Sequence, residues 1–356
     1  MVIVVPLMLF GIPIKITLKL SARNTPFKKR KKKCTKLDFP YIQLNALLPE
    51  NSSNSFVGRV LRVSGQLCLV EKDGKIFQYK LRGRLKAGHR LFKSPVVAGD
   101  WVDVKLSGGG EEGVIERVRP RMSHFTRASS GRKSYDQIIL ANVDQLLVVV
   151  SIRQPQFRPG FVDRAIVSAH CGKLNPRIII NKTDLIDPES LENETRIYRD
   201  LNYPVHYTSV KNKTGIDQII DELKGLVTAV VGQSGVGKSS LLNCIDPKLN
   251  LKTAEIMAQH DRGRHTTTAV QLYRLDNGSY LADTPGVKHL QLSGIERNEL
   301  AFYFSEMSPL AEKCKFRNCS HLNEPECAII MGLKNGSISE SRYSSYVGIM
   351  EDLSNE

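Results

Sequence analysis

The first 37 residues contain no aspartate or glutamate, although they carry ten lysines and arginines. The chain also lacks an apolar run of the roughly 20 residues that a membrane-spanning helix needs. Its uncharged, mostly apolar start, residues 2–14, is shorter than that. In a secretory signal the positive charge precedes the apolar stretch, whereas here it follows. These absences argue against both a spanning helix and a signal peptide at this end.

The segment that follows, 28–33, consists of six consecutive basic residues. Acid-poor basic N-termini resemble organellar transit peptides, and a hexabasic run also resembles a nuclear signal. A basic tail that simply adds RNA affinity is the plainer alternative. We predict that residues 1–54 form a basic N-terminal arm that acts as a transit peptide. The expected destination is an organelle, the mitochondrion before the chloroplast, with the cytoplasm as the alternative.

The remaining positive charge is concentrated in residues 55–128, which carry fifteen lysines and arginines against seven acids. The formal net charge of the chain is +15, so the rest of the sequence is close to neutral. A basic domain beside a neutral one suggests a polyanionic partner, because neutralising phosphates releases counterions. An ordinary solvated surface would account for the charge as well.

The same stretch, 55–128, has the pattern of short strands separated by turn residues. Five such strands within about 70 residues favour a small barrel, of which the OB-fold is the natural candidate; an SH3-like barrel would give a similar pattern. The apolar or alternating segments are 56–63, 67–70, 75–80, 101–106 and 113–118. Basic residues in or beside the predicted loops suit an RNA-binding surface; they are Arg82, Arg84, Lys86, Arg90 and Lys93.

A phosphate-binding loop follows the apolar segment 227–231 and precedes a predicted helix. Its sequence fits G-x4-G-K-[ST], and the strand–loop–helix context is the one that this motif requires. Glycines allow consecutive backbone N–H groups to point at phosphates near a helix N-terminus. The lysine would neutralise the β- and γ-phosphates. The predicted residues are Gly232, Gln233, Ser234, Gly235, Val236, Gly237, Lys238, Ser239 and Ser240.

A second motif, N-K-x-D, follows the apolar strand 178–180 and is typical of GTPases. A carboxylate at Asp184 can accept from N1–H and from the exocyclic amine of guanine, which adenine does not offer. Further along, Ser209 and Val210 lie in a segment that loosely resembles the S-A-K motif behind the base. The predicted base-binding residues are Asn181, Lys182, Thr183, Asp184, Ser209 and Val210.

Two further motifs follow the phosphate loop. Asp283 and Gly286 form D-x-x-G, which senses the γ-phosphate and helps to hold Mg²⁺. The polar segment 263–268 is the expected first switch, and one of its three threonines would complete the magnesium shell; we favour Thr267 over Thr266 and Thr268. The predicted magnesium ligands are therefore Ser239, Thr267 and Asp283.

The motifs stand in an unusual order. Ordinary GTPases place the phosphate loop first and the base-specificity motif last, whereas here N-K-x-D precedes it. A parallel α/β sheet tolerates such a circular permutation when the old ends are joined and new ones opened. We therefore predict a circularly permuted α/β P-loop GTPase domain over residues 134–292, with the second switch leading directly into the C-terminal region.

That C-terminal region, 293–356, carries three cysteines and a histidine at close spacing. Three thiolates and an imidazole suit one closed, tetrahedral structural zinc site in a region too short for a large core. We predict an α-helical zinc-binding domain here. The predicted ligands are Cys314, Cys319, His321 and Cys327.

Together these features resemble the RsgA/YjeQ family of small-ribosomal-subunit-dependent GTPases, from about Phe56 to the C-terminus. The resemblance includes Ala141-Asn142-Val143-Asp144 at the start of the GTPase domain and Asp163-Arg164 after its first strand. It implies an OB-fold, a permuted GTPase domain and a zinc-bearing helical domain. It also implies GTP/GDP and Mg²⁺ as ligands, and late maturation of the small ribosomal subunit as the process. The expected partners are that subunit and its rRNA, with no membrane, and the chain is expected to be a monomer.

The position after D-x-x-G, where many small GTPases have a water-orienting glutamine, holds Val287. By resemblance to hydrophobically substituted GTPases, another residue must act, and His265 in the first switch is the candidate; RNA contact or plain solvent exposure is its alternative. Two rival functions stay open. One is a GTP-regulated RNA-binding scaffold with incidental hydrolysis, and the other is a P-loop ATPase, against which Asp184 argues.

Overall fold

The structure is a computed structural model of the chain. It describes residues 2–9, 12–19, 54–83, 85, 95–107, 111–128, 136–251, 270–284, 290, 292 and 294–354. The chain separates into two compact units, Met1–Glu50 and Asn51–Glu356. In the first unit, β1 (Val2–Leu9) and β2 (Ile12–Lys19) form an antiparallel hairpin that the sequence patterns did not predict. Across the described ranges, no helix has the length and apolar character needed to cross a membrane.

A closed five-stranded barrel begins the second unit. Its strands run in the order β3-β4-β5-β7-β6 and close by pairing of β6 with β3. The β5–β7 pair is parallel and the others are antiparallel. Alternate apolar side chains fill the interior, and the topology is that of the predicted OB-fold. The strands are β3 (Ser55–Ser64), β4 (Leu67–Lys72), β5 (Lys75–Leu81), β6 (Trp101–Leu106) and β7 (Gly113–Val118).

A short antiparallel hairpin, β8 (His124–Ala128) and β9 (Asp136–Ala141), connects the barrel to the next domain. Asn142 follows it with a φ of 52°, in the left-handed region that asparagine tolerates better than most residues. Its Nδ2 donates to the Gly99 carbonyl (3.0 Å) and its Oδ1 accepts from the Met122 amide (3.0 Å). One side chain therefore fixes the direction in which the chain leaves the barrel.

A six-stranded α/β sheet, in the order β12-β11-β10-β13-β15-β14, forms the central domain. All its neighbouring strands are parallel except β14, which is antiparallel to β15. The central strands β10 and β13 are apolar runs buried along their whole length, as expected for parallel strands covered on both faces. The strands are β10 (Gln145–Ser151), β11 (Asn175–Asn181), β12 (Val205–Tyr207), β13 (Val227–Val231), β14 (Gln271–Arg274) and β15 (Tyr280–Asp283).

Among the residues that the structure describes in this domain, four helices accompany the sheet, and two of them show clear start signals. The first helix begins with a proline, which suits this position because the N–H groups of a first helical turn have no partner within the helix and proline lacks one. The second helix has Asp187 as its N-cap, and the Asp187 side chain accepts from the Ser190 amide (2.8 Å). The helices are α1 (Pro159–Cys171), α2 (Pro188–Asp200), α3 (Ile216–Leu223) and α4 (Lys238–Ile245).

The C-terminal region is helical, as predicted, and packs on α1. Its apolar core includes Val167 of α1 together with Phe304, Tyr346 and Ile349. Ser339 caps the last helix by accepting from the Arg342 amide (3.2 Å). The elements are a 3₁₀ helix (Arg297–Tyr303), α5 (Ser308–Ala311), α6 (Ala328–Lys334) and α7 (Glu340–Asp352).

A buried ionic cluster joins α1 to the C-terminal region. The guanidinium of Arg342 donates to Asp163 (2.6 Å) and to both carboxylate oxygens of Glu306 (2.7 and 3.1 Å), and it lies 4.6 Å from the ring centroid of Phe304. Arg342 is 1% exposed and Asp163 is fully buried. Burial raises the pKa of Asp163, and Arg342 opposes that rise. The Asp163 carboxylate therefore depends on Arg342 to remain ionised away from water.

We predict that Arg342→Met weakens the docking of the C-terminal region on α1. The substitution leaves two buried carboxylates without their cation, and removing one partner of a buried pair costs about 3–5 kcal/mol. Urea unfolding followed by circular dichroism measures the loss.

The matched control is Arg164→Ala, which removes another α1–α7 ion pair, with Asp352 (2.5 Å), whose side chain is 59% exposed. Exposed pairs contribute only about 0–1 kcal/mol, so this variant should unfold nearly as the wild type does. Equal unfolding free energies for the two variants would contradict the assignment.

Candidate functional site

The phosphate loop, 232–239, connects β13 to α4 at the carboxyl end of the parallel strands. Gly237, the N-cap of α4, has a φ of 91°, which side-chain-bearing residues rarely adopt. A Cβ at this position would lie 2.5 Å from Nδ2 of Asn181, so only glycine lets the loop approach the base-specificity motif. The loop and the helix N-terminus form a cradle of backbone N–H groups that suits phosphates.

Lys238 and Asp283 bring opposite charges to the floor of this cradle. Lys238 Nζ donates to the carbonyls of Gly232 (2.7 Å) and Gln233 (3.3 Å). Burial lowers the pKa of Lys238 and raises that of Asp283, and each charge opposes the shift of the other. Oδ1 of Asp283 is buried and has no hydrogen-bond partner among the described residues. An unpartnered buried carboxylate oxygen beside a phosphate cradle fits a Mg²⁺ site, because this ion prefers oxygen ligands.

The base-specificity motif lies at the carboxyl end of β11, beside the phosphate loop. Asn181 Nδ2 donates to the Val236 carbonyl (2.9 Å), and its Oδ1 accepts from the Thr208 hydroxyl (3.1 Å). Asp184 Oδ1 accepts from the Ser209 hydroxyl (2.6 Å). That hydrogen bond is the main cause that lowers the pKa of Asp184, which keeps the carboxyl group ionised. The site therefore presents an oriented carboxylate next to the phosphate cradle.

Lys182 ties the motif to a loop that sequence analysis missed. Its Nζ donates to the Gly235 carbonyl (2.7 Å) and to the Gln154 carbonyl (2.8 Å). Gln154 lies in the segment between β10 and α1, and its peptide bond to Pro155 is cis. Because β10 neighbours β13 in the sheet, the loop that follows β10 must lie beside the phosphate loop. The position of β10 in the sheet order is therefore the signal that could have identified this loop.

Some of the other predicted site residues lie in described elements, and three lie outside the described residues. Ser239 and Ser240 lie in the first turn of α4, Thr183 begins a 3₁₀ turn after Lys182, and Val210 packs against the apolar cluster around α3. Gly235, like Gly237, has a positive φ, of 84°. The switch residues His265, Thr267 and Gly286 lie outside the described residues.

The four predicted zinc ligands converge, with all their ligand atoms within 4.8 Å of one another. Nδ1 of His321 lies 3.4 Å from the sulfur atoms of both Cys314 and Cys327, and those two sulfur atoms are 3.9 Å apart. A tetrahedral ion with Zn–S bonds of about 2.3 Å separates its sulfur ligands by about 3.8 Å. The set, completed by buried Cys319, therefore fits zinc in both chemistry and spacing.

The surroundings of the cluster hold its loop in place. The hydroxyl of Tyr343 donates to the His321 carbonyl (2.9 Å), and that of Tyr346 donates to the Ser320 carbonyl (2.8 Å). Burial raises the pKa of the Cys319 thiol to about 12 and also raises that of Cys327. These thiols favour the neutral form by themselves, so a bound cation is what would hold them as thiolates.

Comparison with known proteins gives consistent matches. A family model described as RsgA GTPase matches residues 118–293. The "Small ribosomal subunit biogenesis GTPase RsgA" of Bacteroides fragilis is 35% identical over 299 residues, which are 83% of this chain and 96% of that protein. The protein of the same name from Thermotoga neapolitana is 38% identical over 301 residues, again 83% of this chain and 96% of the relative.

Two solved structures match most of the chain. The crystal structure of YjeQ from Thermotoga maritima matches with a TM-score of 0.69 and 34% identity, covering 85% of this chain and 99% of that one. The structure of YloQ, described as a circularly permuted GTPase, matches with a TM-score of 0.66 and 28% identity, covering 86% and 98%. From the permuted order of its motifs, its fold and these relatives, the chain belongs to the RsgA GTPase family.

Proposed function

We propose that this protein hydrolyses GTP during maturation of the small ribosomal subunit, that it binds rRNA and that the subunit stimulates its turnover. The observation that carries the proposal is the Asp184 carboxylate, held by the Ser209 hydroxyl beside the phosphate cradle, in a chain whose relatives bear the name small ribosomal subunit biogenesis GTPase. The basic charge of residues 55–128 supports the RNA partner. The protein acts as a monomer and without a membrane.

In this proposal the nucleotide lies across the loops at the carboxyl ends of β11 and β13. Asp184 accepts from the guanine edge, Asn181 and Lys182 brace the loops around the base, and Lys238 neutralises the β- and γ-phosphates. Ser239, Thr267 and Asp283 would hold Mg²⁺, which supplies positive charge to the phosphates when it is bound. His265 would orient the attacking water, since Val287 has no polar group to do so.

The permutation connects the γ-phosphate to the C-terminal region. The D-x-x-G motif begins at Asp283, at the end of β15. Only a few residues later, Leu290 joins the apolar core of the α/β domain and Leu292 joins that of the zinc-bearing region. A change at the second switch therefore acts on a very short connection to the C-terminal core.

The proposal includes an organellar location, the mitochondrion before the chloroplast. It is supported by the lysine-rich composition of residues 1–37 of the N-terminal arm, which contain no acidic residue. Import of the full chain fused to a fluorescent protein, compared with a fusion that lacks residues 1–54, tests it. Cytoplasmic fluorescence of the full-length fusion would overturn it.

The rival from another class is a GTP-regulated RNA-binding scaffold in which hydrolysis is incidental. Both functions use the same nucleotide site and the same basic barrel, so binding does not separate them. Turnover measured with and without purified small subunits does, because a scaffold predicts no stimulation.

Asp184→Asn should lower the affinity for GTP and create affinity for XTP. Xanthine has a carbonyl oxygen at the position where guanine has its exocyclic amine. The asparagine amide can donate a hydrogen bond to that oxygen, whereas the aspartate carboxylate can only accept one. A hydrogen bond to a charged group contributes about 1.5–3 kcal/mol, so GTP affinity should fall by roughly ten- to a hundredfold. Titration with fluorescent nucleotides measures both affinities.

The matched control is Asp187→Asn, the same change three residues away. Asp187 caps α2, and asparagine caps helices equally well, so GTP affinity should be unchanged. Wild-type protein that binds ATP as tightly as GTP would refute the guanine assignment.

Metal analysis should find about one zinc per chain. Cys319→Ser should release it and destabilise the C-terminal region while GTP binding persists, because the phosphate loop lies in another domain. Cys244→Ser, which removes a thiol of α4 outside the cluster, should keep the full zinc content. A zinc-free wild-type protein whose C-terminal region resists proteolysis would contradict the site.

His265→Ala should preserve the binding of GTP and of the small subunit but reduce stimulated turnover about a hundredfold, the loss typical of a catalytic proton-handling group. Phosphate release under saturating GTP, with and without purified subunits, is the measurement. The control is His260→Ala, a histidine five residues before His265 and outside the segment 263–268. Normal stimulated turnover in His265→Ala would remove this residue from the mechanism, and no stimulation of the wild type would overturn the proposed function.

A further inference from the structure

The barrel carries the only tryptophan of the chain, Trp101, on its outer surface. It begins β6, in which Val102 and Val104 are fully buried in the barrel core. Because successive side chains of a strand alternate between faces, Trp101 points away from that core. Its side chain is 40% exposed, so a large part of a rigid aromatic surface remains in contact with water.

One arginine side chain packs on this tryptophan, and a second arginine pairs with its backbone. The strand register places Arg59 of β3 directly opposite Trp101, and the Arg59 guanidinium lies 5.0 Å from the centre of the indole. On the other side of β6, the Arg119 amide donates to the Trp101 carbonyl (2.8 Å). Val57, 38% exposed, extends the apolar surface along β3. The face thus alternates aromatic, apolar and basic groups.

Arg59 supports the indole from one side. It is only 9% exposed, and its guanidinium also lies 4.8 Å from the ring centre of Tyr280 and donates to the Asn142 carbonyl (3.1 Å). The cation is therefore held between two rings. Since Arg59 covers one face of Trp101, the exposure that remains belongs to its other face and its edges. The indole is fixed in position and has a face available.

The charge at the edge of this surface is positive. Asp103 accepts from both Arg117 (2.6 Å) and Arg119 (2.8 Å), so one carboxylate faces two guanidiniums. Those two side chains are 49% and 36% exposed, and each guanidinium has more donors than this carboxylate can use. Exposed Lys105 adds a further positive charge on the same strand. Three positive charges against one carboxylate leave the rim with a net positive charge, which a polyanion matches and a neutral apolar partner does not.

We propose that Trp101 is a stacking platform for an unpaired base of single-stranded RNA, with Arg117 and Arg119 binding the neighbouring phosphates. Every base offers a π-face, so this surface selects unpaired RNA with little sequence preference, while a duplex keeps its bases stacked inside. The inference rests on the proposed function, in that it names the residues of the barrel that contact RNA. It goes beyond that function by assigning the binding to a strand face around Trp101 and by specifying an RNA conformation.

The intrinsic fluorescence of the full-length protein tests this directly, because Trp101 alone contributes the tryptophan emission. Titration with an oligouridylate of about 12 nucleotides, a length within the range that one OB-fold binds, should quench the emission. A duplex RNA of the same length should quench it much less. Added salt should reverse the quenching, because phosphate contacts weaken as counterions compete.

Substitutions provide the second arm, with binding read from the anisotropy of a labelled oligouridylate. Trp101→Ala should weaken binding about tenfold, the effect of one lost base–aromatic stack. Trp101→Phe should restore most of the affinity. The matched control is Phe316→Ala, an exposed aromatic beside Lys315 in the C-terminal region, which should bind as the wild type does. Circular dichroism confirms that each variant is folded.

The outcomes separate the platform from the function on which it rests. Tight binding of oligouridylate without quenching, or equal affinity of Trp101→Ala and wild type, would overturn the platform while leaving RNA binding intact. Stronger quenching by duplex than by oligouridylate would overturn it as well. Failure of both the oligonucleotide and purified small subunits to bind would instead refute the proposed function.

Discussion

The hydrogen bond from the Asn181 amide to the Val236 carbonyl joins the base-specificity motif to the phosphate loop. It requires glycine at position 237, since any Cβ there would collide with the same amide. It also requires Asn181 to keep one orientation, which the Thr208 hydroxyl fixes by donating to its oxygen. Lys182 adds a second link to the same loop. The nucleotide site is thus a single unit whose two halves hold each other in place before any ligand arrives.

Nothing in that unit depends on the order of the motifs along the chain. β11, β10, β13 and β15 lie side by side and parallel, so their carboxyl-terminal loops meet at one edge whichever strand comes first. What the permutation changes is the chain that leaves the site. After β15 the backbone passes within a few residues into the C-terminal core, and the Arg342–Asp163 pair anchors that core to α1 of the same sheet. The second switch is therefore held at both ends by packed structure.

Sequence reasoning predicted the parts of this structure that depend on local patterns. The five barrel strands, the buried strands β11 and β13, and the start of α4 follow from alternation, apolar runs and glycine placement, and the structure confirms them. The cysteine spacing likewise predicted a cluster that the fold brings together. The contacts that join domains were not predictable. Arg342 and Asp163 are 179 residues apart, and no local pattern indicates that two such charges are buried together.

The contacts between the barrel and the α/β domain were not predictable from the sequence either. At this seam, β14 of the α/β domain pairs with β3 of the barrel, so that one sheet continues into the other. Glu71 of the barrel is buried there and accepts from Arg274 (2.7 Å) and from the Tyr280 hydroxyl (2.7 Å). A buried carboxylate is costly without such partners, so β4 of the barrel can hardly move independently of β14 and β15.

These two strands of the α/β domain are the ones that connect the switch segments, because β14 follows the first switch and β15 ends at Asp283. Arg59 lies between Tyr280 and Trp101, so the outer face of the barrel and the seam share one side chain. A ligand that bound the barrel and shifted Arg59 would press on the strand that carries the γ-phosphate sensor. If the partner proposed above binds the barrel, packed side chains at Arg59 and Tyr280 connect that surface to β15.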